Sequence, residues 1–123
     1  MVAPPLAGQD STAAADTAPI YSASQARRGR STYEKRCVNC HSASAYTGSA
    51  FRLVWGNRPV YELWEQIRTT MPQDSPGSLS AGEYADIVAY LFRLNRLPAG
   101  PRELPADPDQ LRALVIRVPG PAR

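Results

Sequence analysis

The spacing of hydrophobic residues predicts three helices, all within residues 24–98. The pattern becomes helical at Ser24, and Gly29, Tyr33 and Cys37 follow at intervals of four on one face. Residues 1–23 are rich in Ala, Pro, Ser, Thr and Asp, a composition that buries too little apolar surface to offset the entropy of ordering. We therefore expect a flexible segment at residues 1–23, followed by the first helix.

The second and third helices are marked by their boundary residues. Pro59 suits the first turn of a helix, which must end before Met71 because Pro72 disfavours helical geometry at the residue preceding it. Ser80 and Glu83 form the S-x-x-E capping box that begins a third helix. The apolar faces of these two helices are Val60, Leu63, Trp64 and Ile67, and then Tyr84, Ile87, Val88, Leu91 and either Leu94 or Asn95.

The segments between and after the helices are predicted to be irregular. Residues 42–58 combine Ser, Thr, Gly and Asn with large apolar residues, which indicates a loop folded against an apolar surface. Residues 99–123 are rich in proline, and we expect this C-terminal extension to pack partly on the domain formed by residues 24–98. Its one apolar patch, residues 111–118, is predicted to dock as a short extended segment.

Length and charge limit the possible functions. A chain of 123 residues forms one domain with a small core, and no apolar run approaches the roughly 20 residues that cross a bilayer. The net charge of +3 does not suggest nucleic-acid binding. A basic cluster that could steer an acidic partner, or could simply be solvated, consists of Arg27, Arg28, Arg30, Lys35 and Arg36.

Cys37-Val38-Asn39-Cys40-His41 contains all the cysteine and histidine of the chain. The C-x-x-C-H spacing is typical of the attachment site of a c-type haem. Cysteines three residues apart on one helical face can reach both vinyl groups of a haem and form thioethers. The histidine brings a neutral imidazole nitrogen under the iron. The motif predicts one covalent haem, attached through Cys37 and Cys40, with His41 as an axial ligand.

Met71 is the second predicted axial ligand. It is the only methionine besides Met1, and it lies between two predicted helices, 71 − 41 = 30 residues after His41. A His/Met pair fills both axial positions and raises the reduction potential, which favours electron transfer and leaves no position for a substrate. The alternative role is a core methionine. Trp55 and Leu91 are the predicted haem contacts, and no enzymatic activity is expected.

The motif has four alternative interpretations. A thiol oxidoreductase of the thioredoxin type requires βαβ elements that the pattern does not predict. A closed zinc site needs four Cys or His ligands, whereas the motif supplies three. A simple disulfide would leave His41 without a role. The main alternative is a haem-based gas sensor in which the ligand displaces a labile Met71.

The sequence resembles class I cytochromes c over residues 25–104. Gly29-x-x-x-Tyr33-x-x-x-Cys37 is similar to the first helix of that family, and Ala89-Tyr90-Leu91 is similar to the helix that crosses it. A narrower similarity, to cytochromes associated with quinoprotein (PQQ-dependent) alcohol dehydrogenases, is carried by Gly48-x-x-Phe51-x-x-x-Trp55, residues 67–72, 76–80 and 83–91, Pro98-Ala99-Gly100 and Glu103-Leu104.

The resemblance implies an all-α fold with three main helices around one covalently bound haem c, and disordered or extended flanks. It implies that Cys37 and Cys40 hold the haem and that His41 and Met71 are axial ligands. It also implies a periplasmic one-electron carrier that accepts electrons from a quinoprotein dehydrogenase and passes them to an oxidase or another cytochrome of the respiratory chain. Such redox partners would dock transiently.

The chain differs from its relatives near the motif. The stretch between His41 and Phe51 is short and lacks the proline whose carbonyl often orients the axial histidine, and Ser42 replaces a frequent glycine. The first residues also lack the charged and apolar regions of a secretory signal. Because haem is attached to C-x-x-C-H outside the cytoplasm, we expect that a signal was removed or that the start codon was assigned inside it.

Overall fold

The computed structural model describes residues 18–36 and 47–119. In these ranges the chain forms five helices, which we label in order α1 (Ala23–Arg36), α2 (Gly48–Trp55), α3 (Val60–Thr70), α4 (Ala81–Leu94) and α5 (Pro108–Ala113). The only β-type pairing among the described residues is an isolated antiparallel bridge between Pro59 and Val115. None of these helices has the length and apolar character needed to span a membrane. The predicted all-α fold is confirmed.

The crossing of α1 and α4 is the main helix contact of the fold. At Gly29 the two backbones approach so closely that an added Cβ would lie 1.8 Å from the carbonyl oxygen of Asp86. One turn further along α1, the buried Tyr33 ring packs on the Tyr90 ring, with centroids 5.5 Å apart. Glycine therefore allows the close contact, and the neighbouring tyrosine pair fills the space beside it.

Helix α4 begins and packs as its sequence predicts. The Ser80 side chain accepts a hydrogen bond from the Glu83 backbone N–H at 3.1 Å, and the Glu83 carboxylate accepts one from the Ser80 N–H at 2.9 Å. These bonds satisfy two backbone donors at the start of the helix. Four members of the predicted apolar face are buried, namely Tyr84, Ile87, Val88 and Leu91. Of the two alternatives for its last member, Asn95 is buried and Leu94 is half-buried.

Helix α3 also follows its sequence signals. Pro59 precedes its first residue, and its predicted apolar face is buried, comprising Val60, Leu63, Trp64 and Ile67. The Met71 N–H still donates to the Ile67 carbonyl oxygen at 2.8 Å, but Met71 itself has extended backbone angles. The helix therefore ends immediately before Met71, as predicted from Pro72.

Residues 48–55 form helix α2, so the prediction of a loop over residues 42–58 is wrong for this part. Phe51 is 1% exposed and Trp55 packs against the same core, whereas Leu53 is 83% exposed. Phe51 and Trp55 are four residues apart and therefore share one face of the helix. Burial of that face stabilises a helix where the polar residues and two glycines of the segment had indicated a loop.

The C-terminal extension contains a helix as well as an extended segment. Asp107 caps α5 by accepting the Gln110 N–H at 3.0 Å, and Pro108 occupies the first turn. The prediction of extended structure over residues 111–118 is wrong for its first part, because these capping residues start a helix that buries Leu111. Beyond the helix the chain is extended and runs along the α2–α3 turn.

Backbone hydrogen bonds hold the extended segment to the α2–α3 turn. The Asn57 N–H donates to the Ile116 carbonyl at 2.8 Å, and the Ile116 N–H donates back to the Arg58 carbonyl at 2.9 Å. The Val60 N–H donates to the Leu114 carbonyl at 2.9 Å. Ile116 is fully buried, so the extension contributes to the same core as the helices.

The other end of the extension is bound to α1. The buried Gln25 side chain donates to the Leu104 carbonyl at 2.9 Å and accepts the Leu104 N–H at 2.7 Å. Next to this pair, Arg28 contacts the carboxylates of Asp86 and Glu103 at 3.2 and 2.6 Å. The hydrogen bond from Arg28 lowers the pKa of Glu103. These contacts connect α1, α4 and the extension.

The end of the predicted flexible segment, residues 1–23, is also packed. Tyr21 is 2% exposed, its ring lies against Phe92, and its hydroxyl donates to the Leu97 carbonyl. Its backbone carbonyl accepts the Gly100 N–H at 2.8 Å. The prediction of flexibility is therefore wrong for this tyrosine, since its ring packs on α4 and its polar groups bond to Leu97 and Gly100.

Candidate haem-binding site

All five residues of the C-x-x-C-H motif, 37–41, lie outside the described residues. Helix α1 reaches Arg36, which directly precedes Cys37 in the sequence. The fold therefore supports the predicted helix that leads into the motif. The roles of Cys37, Cys40 and His41 stay predictions from the sequence.

Met71 lies at the junction of α3 and the loop that leads to α4. Its side chain is half-buried and packs against the apolar core. Both of its backbone polar groups are bonded, because its N–H donates to Ile67 and its carbonyl oxygen accepts the Tyr84 hydroxyl at 2.7 Å. The backbone of this residue is thus fixed, while its thioether belongs to a partly exposed apolar surface.

The two predicted haem contacts occupy different parts of that core. Leu91 is 1% exposed on α4, and Trp55 is half-buried at the end of α2. The guanidinium carbon of Arg58 lies 4.4 Å from the centroid of the Trp55 ring, a distance at which a cation is attracted to the aromatic face. Two exposed apolar side chains, Leu53 and Val54, lie beside Trp55 on α2.

One contiguous apolar cluster includes Leu91, with Met71 and Trp55 packed against it. A soft, neutral thioether next to apolar side chains suits the axial position of a haem iron. A tryptophan and a leucine provide the low-polarity surroundings that a largely apolar porphyrin requires. The described residues therefore fit a haem c, and those that could line its site are Trp55, Met71 and Leu91.

Ion pairs neutralise part of the predicted basic cluster. Arg28 is paired with two carboxylates, and Arg30 with Glu34 at 3.1 Å. Arg27 and Arg36 instead donate hydrogen bonds to the hydroxyls of Ser24 and Ser78. Within residues 18–36 and 47–119, the cluster members outside ion pairs are Arg27, Lys35 and Arg36. Two of these form the end of α1 that leads to Cys37.

Sequence reasoning missed two polar residues that shape the site. The Tyr84 hydroxyl, buried on the apolar face of α4, holds the Met71 backbone. The buried Asn95 side chain donates to the Leu91 carbonyl at 2.8 Å and accepts the Gly48 N–H at 3.1 Å, which joins the end of α4 to the start of α2. The only signal for either was a polar atom on an apolar helix face, where a hydrogen-bond partner is required.

Comparison with known protein families identifies the class of the chain. A family model described as cytochrome C oxidase, cbb3-type, subunit III matches residues 24–91, more than half of the sequence. The chain belongs to this family of cytochrome c domains, and it is a class I c-type cytochrome. No match was found among curated proteins or among solved structures.

Family membership establishes the cofactor and the general role. The predicted cofactor, covalently bound haem c with its iron, is confirmed at the level of the family. A cytochrome c domain is an electron carrier that exchanges electrons with redox partners. The match extends from the first turn of α1 to Leu91 on α4, so the last residues of α4 and the C-terminal extension lie outside the matched range.

Proposed function

We propose that this chain is a periplasmic monohaem cytochrome that carries single electrons between a quinoprotein (PQQ-dependent) dehydrogenase and the respiratory chain. In this proposal Cys37 and Cys40 attach the haem, and His41 and Met71 are the axial ligands. Trp55 and Leu91 are its apolar contacts. The observation that carries the proposal is the position of Met71, whose backbone is fixed on both sides while its side chain lies on an apolar surface.

The described residues contribute orientation and low polarity. The bound haem supplies reversible one-electron chemistry. Tyr84 and the end of α3 hold the backbone of Met71, so the main chain that carries the proposed ligand is fixed in position. The apolar side chains at Trp55 and Leu91 exclude water, and a dry, apolar environment together with a thioether ligand favours a high reduction potential. Single-electron exchange with a docked partner follows from this arrangement.

The dehydrogenase donor and the periplasmic location are inferred from the sequence. The resemblance to quinoprotein-associated cytochromes includes the Met71-Pro72 loop and the start of α4. Haem attachment to a C-x-x-C-H motif takes place outside the cytoplasm, which supports a periplasmic location. Purified quinoprotein alcohol dehydrogenase provides the direct test. Substrate-dependent reduction of the cytochrome would support this donor, and its absence in the presence of active dehydrogenase would remove it.

The first experiment is expression with export and haem-maturation machinery, followed by denaturing gel electrophoresis with haem staining. We expect a stained band that disappears in the Cys37→Ala, Cys40→Ala double variant. The ferrous protein should then be exposed to carbon monoxide at neutral pH. An unchanged spectrum supports a carrier with both axial positions filled, whereas tight binding supports the gas sensor. Exported protein that contains no haem would contradict both functions.

Electron exchange with an anionic reagent is expected to depend on Lys35 and Arg36 at the end of α1, which form no ion pair with the other described residues. The double variant Lys35→Gln, Arg36→Gln should slow oxidation of the ferrous protein by ferricyanide about two- to tenfold at low ionic strength, because attraction of the anion is reduced. Stopped-flow absorbance measures the rate. The difference should shrink as added salt shortens the screening length.

The matched control for this measurement carries the same change in net charge on the C-terminal extension. Arg102 and Arg117 are exposed there, and Arg117 donates to the Asn57 side chain at 2.9 Å. The Arg102→Gln, Arg117→Gln double variant should react nearly as fast as the parent protein. Equal slowing in both variants would indicate a general charge effect and would exclude the end of α1 as the local attraction site.

A further inference from the structure

The loop between α3 and α4 is closed by one side chain. The loop begins at Met71 and returns at Leu79, directly before the Ser80 cap of α4. The Tyr84 hydroxyl donates to the Met71 carbonyl oxygen at 2.7 Å and accepts the Leu79 N–H at 3.3 Å. A single oxygen atom therefore joins the first and last residues of the loop.

The interior of the loop is joined to the body of the protein, among the described residues, by one side-chain hydrogen bond, which Arg36 of α1 donates to the Ser78 hydroxyl at 3.4 Å. Inside it, the Ser75 N–H donates to the Pro72 carbonyl and the Ser78 N–H donates to the Ser75 carbonyl, at 2.9 and 3.2 Å. Gly77 has a φ of +78°, a value that favours glycine at this turn. These local bonds shape the turn, but they do not fix where it lies relative to α4.

Tyr84 itself cannot move easily. It lies on the core face of α4, and it is 1% exposed. Its ring position is determined by the packing of a helix whose N-terminus is fixed by the capping box. The hydroxyl is thus a rigid reference point, and the backbone of Met71 is positioned relative to α4 through it.

We propose that Tyr84 is a positioning residue for the axial ligand, whose hydroxyl holds the Met71 backbone so that the thioether stays on the iron. This inference rests on the proposed function of Met71. A phenylalanine at this position keeps the ring in the core but removes both hydrogen bonds, so the loop can move and the thioether dissociates more often. The haem stays attached, because its attachment does not involve Tyr84.

The test compares binding of imidazole to the ferric holoprotein and its Tyr84→Phe variant. Imidazole must displace the thioether, so its affinity reports how firmly Met71 is held. Loss of the two hydrogen bonds is expected to raise the affinity roughly tenfold and to weaken the far-red charge-transfer band of thioether-ligated ferric iron. Absorbance recorded during the imidazole titration measures both quantities. The titration is carried out under conditions in which both proteins are fully folded.

Tyr61→Phe is the matched control. Its ring packs on Trp64 and beneath Arg112, and no hydrogen bond of its hydroxyl is found among the described residues. This variant should bind imidazole like the parent. An affinity in Tyr84→Phe equal to that of the parent would overturn the positioning role, as would equal increases in the two tyrosine variants.

Two further measurements separate this proposal from the function on which it rests. A parent protein without the far-red band, or a Met71→Ala variant that retains it, would reject Met71 as the ligand, and the role of Tyr84 would fall with it. If the band depends on Met71, the imidazole titration tests Tyr84 alone. If Tyr84→Phe does not fold, hydrogen exchange of the Leu79 amide in the parent protein is measured instead. Slow exchange supports the positioning role of Tyr84, and exchange at the rate of an unprotected loop amide overturns it.

Discussion

Replacing Gly29 by alanine is expected to lower the free energy of unfolding by at least about 3 kcal/mol. The new Cβ would lie 1.8 Å from the carbonyl oxygen of Asp86 and 2.4 Å from its carbonyl carbon. Both are backbone atoms of α4, so no side-chain rotation can relieve the overlap, and the two helices must separate. Separation would also disturb the packing of Tyr33 on Tyr90. Denaturant unfolding of the holoprotein, followed by circular dichroism, measures the change.

Gly82→Ala is the control for this substitution. Gly82 lies in the first turn of α4, and among the described residues the only atom within 4.0 Å of an added Cβ is the Ser80 hydroxyl oxygen. Alanine is favoured over glycine within helices by up to about 1 kcal/mol, so this variant should be as stable as the parent or slightly more stable. A Gly29→Ala protein of parental stability would contradict the close packing of α1 and α4.

The sequence predicts the helices whose boundaries are set by local chemistry. Pro72 ends α3, and the Ser80–Glu83 capping box starts α4, because each acts on the backbone within a few residues. The apolar faces of both helices were also correct, since a spacing of three and four positions is a property of the helix itself. These two helices account for about a third of the matched range.

The elements that the sequence did not predict depend on distant contacts. Helix α2 is stabilised by burial of Phe51, and its first N–H is bonded to Asn95, which is 47 residues away. The C-terminal extension is held by Gln25 at one end and by the α2–α3 turn at the other. Local propensity contains no information about partners so far along the chain. Helix α5 is different, because Asp107 at its N-cap and Pro108 in its first turn are local signals that the sequence does contain.

For the candidate site, the sequence predicted the ligand Met71, whereas the hydrogen bonds that position it are visible only in the structure. The sequence identifies Met71 as a soft ligand between two helices, because it is the only methionine besides Met1 and Pro72 ends the helix before it. The hydrogen bond from Tyr84 to its carbonyl requires that α4 return beside the end of α3, and only the packed fold provides that. A tyrosine at an apolar helix position is equally compatible with simple core packing, so its polar contact could not be predicted.

Replacing Met71 by alanine is expected to leave the haem attached and to lower the midpoint potential of the holoprotein by on the order of a tenth of a volt or more. The thioether favours ferrous iron, and its removal leaves either water or an external ligand at that position. Carbon monoxide should then bind the ferrous protein, which it does not do in the parent if both axial positions are filled. Spectroelectrochemical titration measures the potential, and haem staining checks attachment.

Two companion variants separate ligation from packing in this prediction. Met71→Leu keeps nearly the same apolar volume, so it should preserve the stability of the core. Its midpoint potential should nevertheless be lowered as much as that of Met71→Ala. Leu79→Ala removes a half-buried apolar side chain from the other end of the same loop, and its potential should stay close to that of the parent. A parental potential in both Met71 variants would show that the sulfur is core filler, whereas a low potential in Leu79→Ala alone would assign the effect to loop packing.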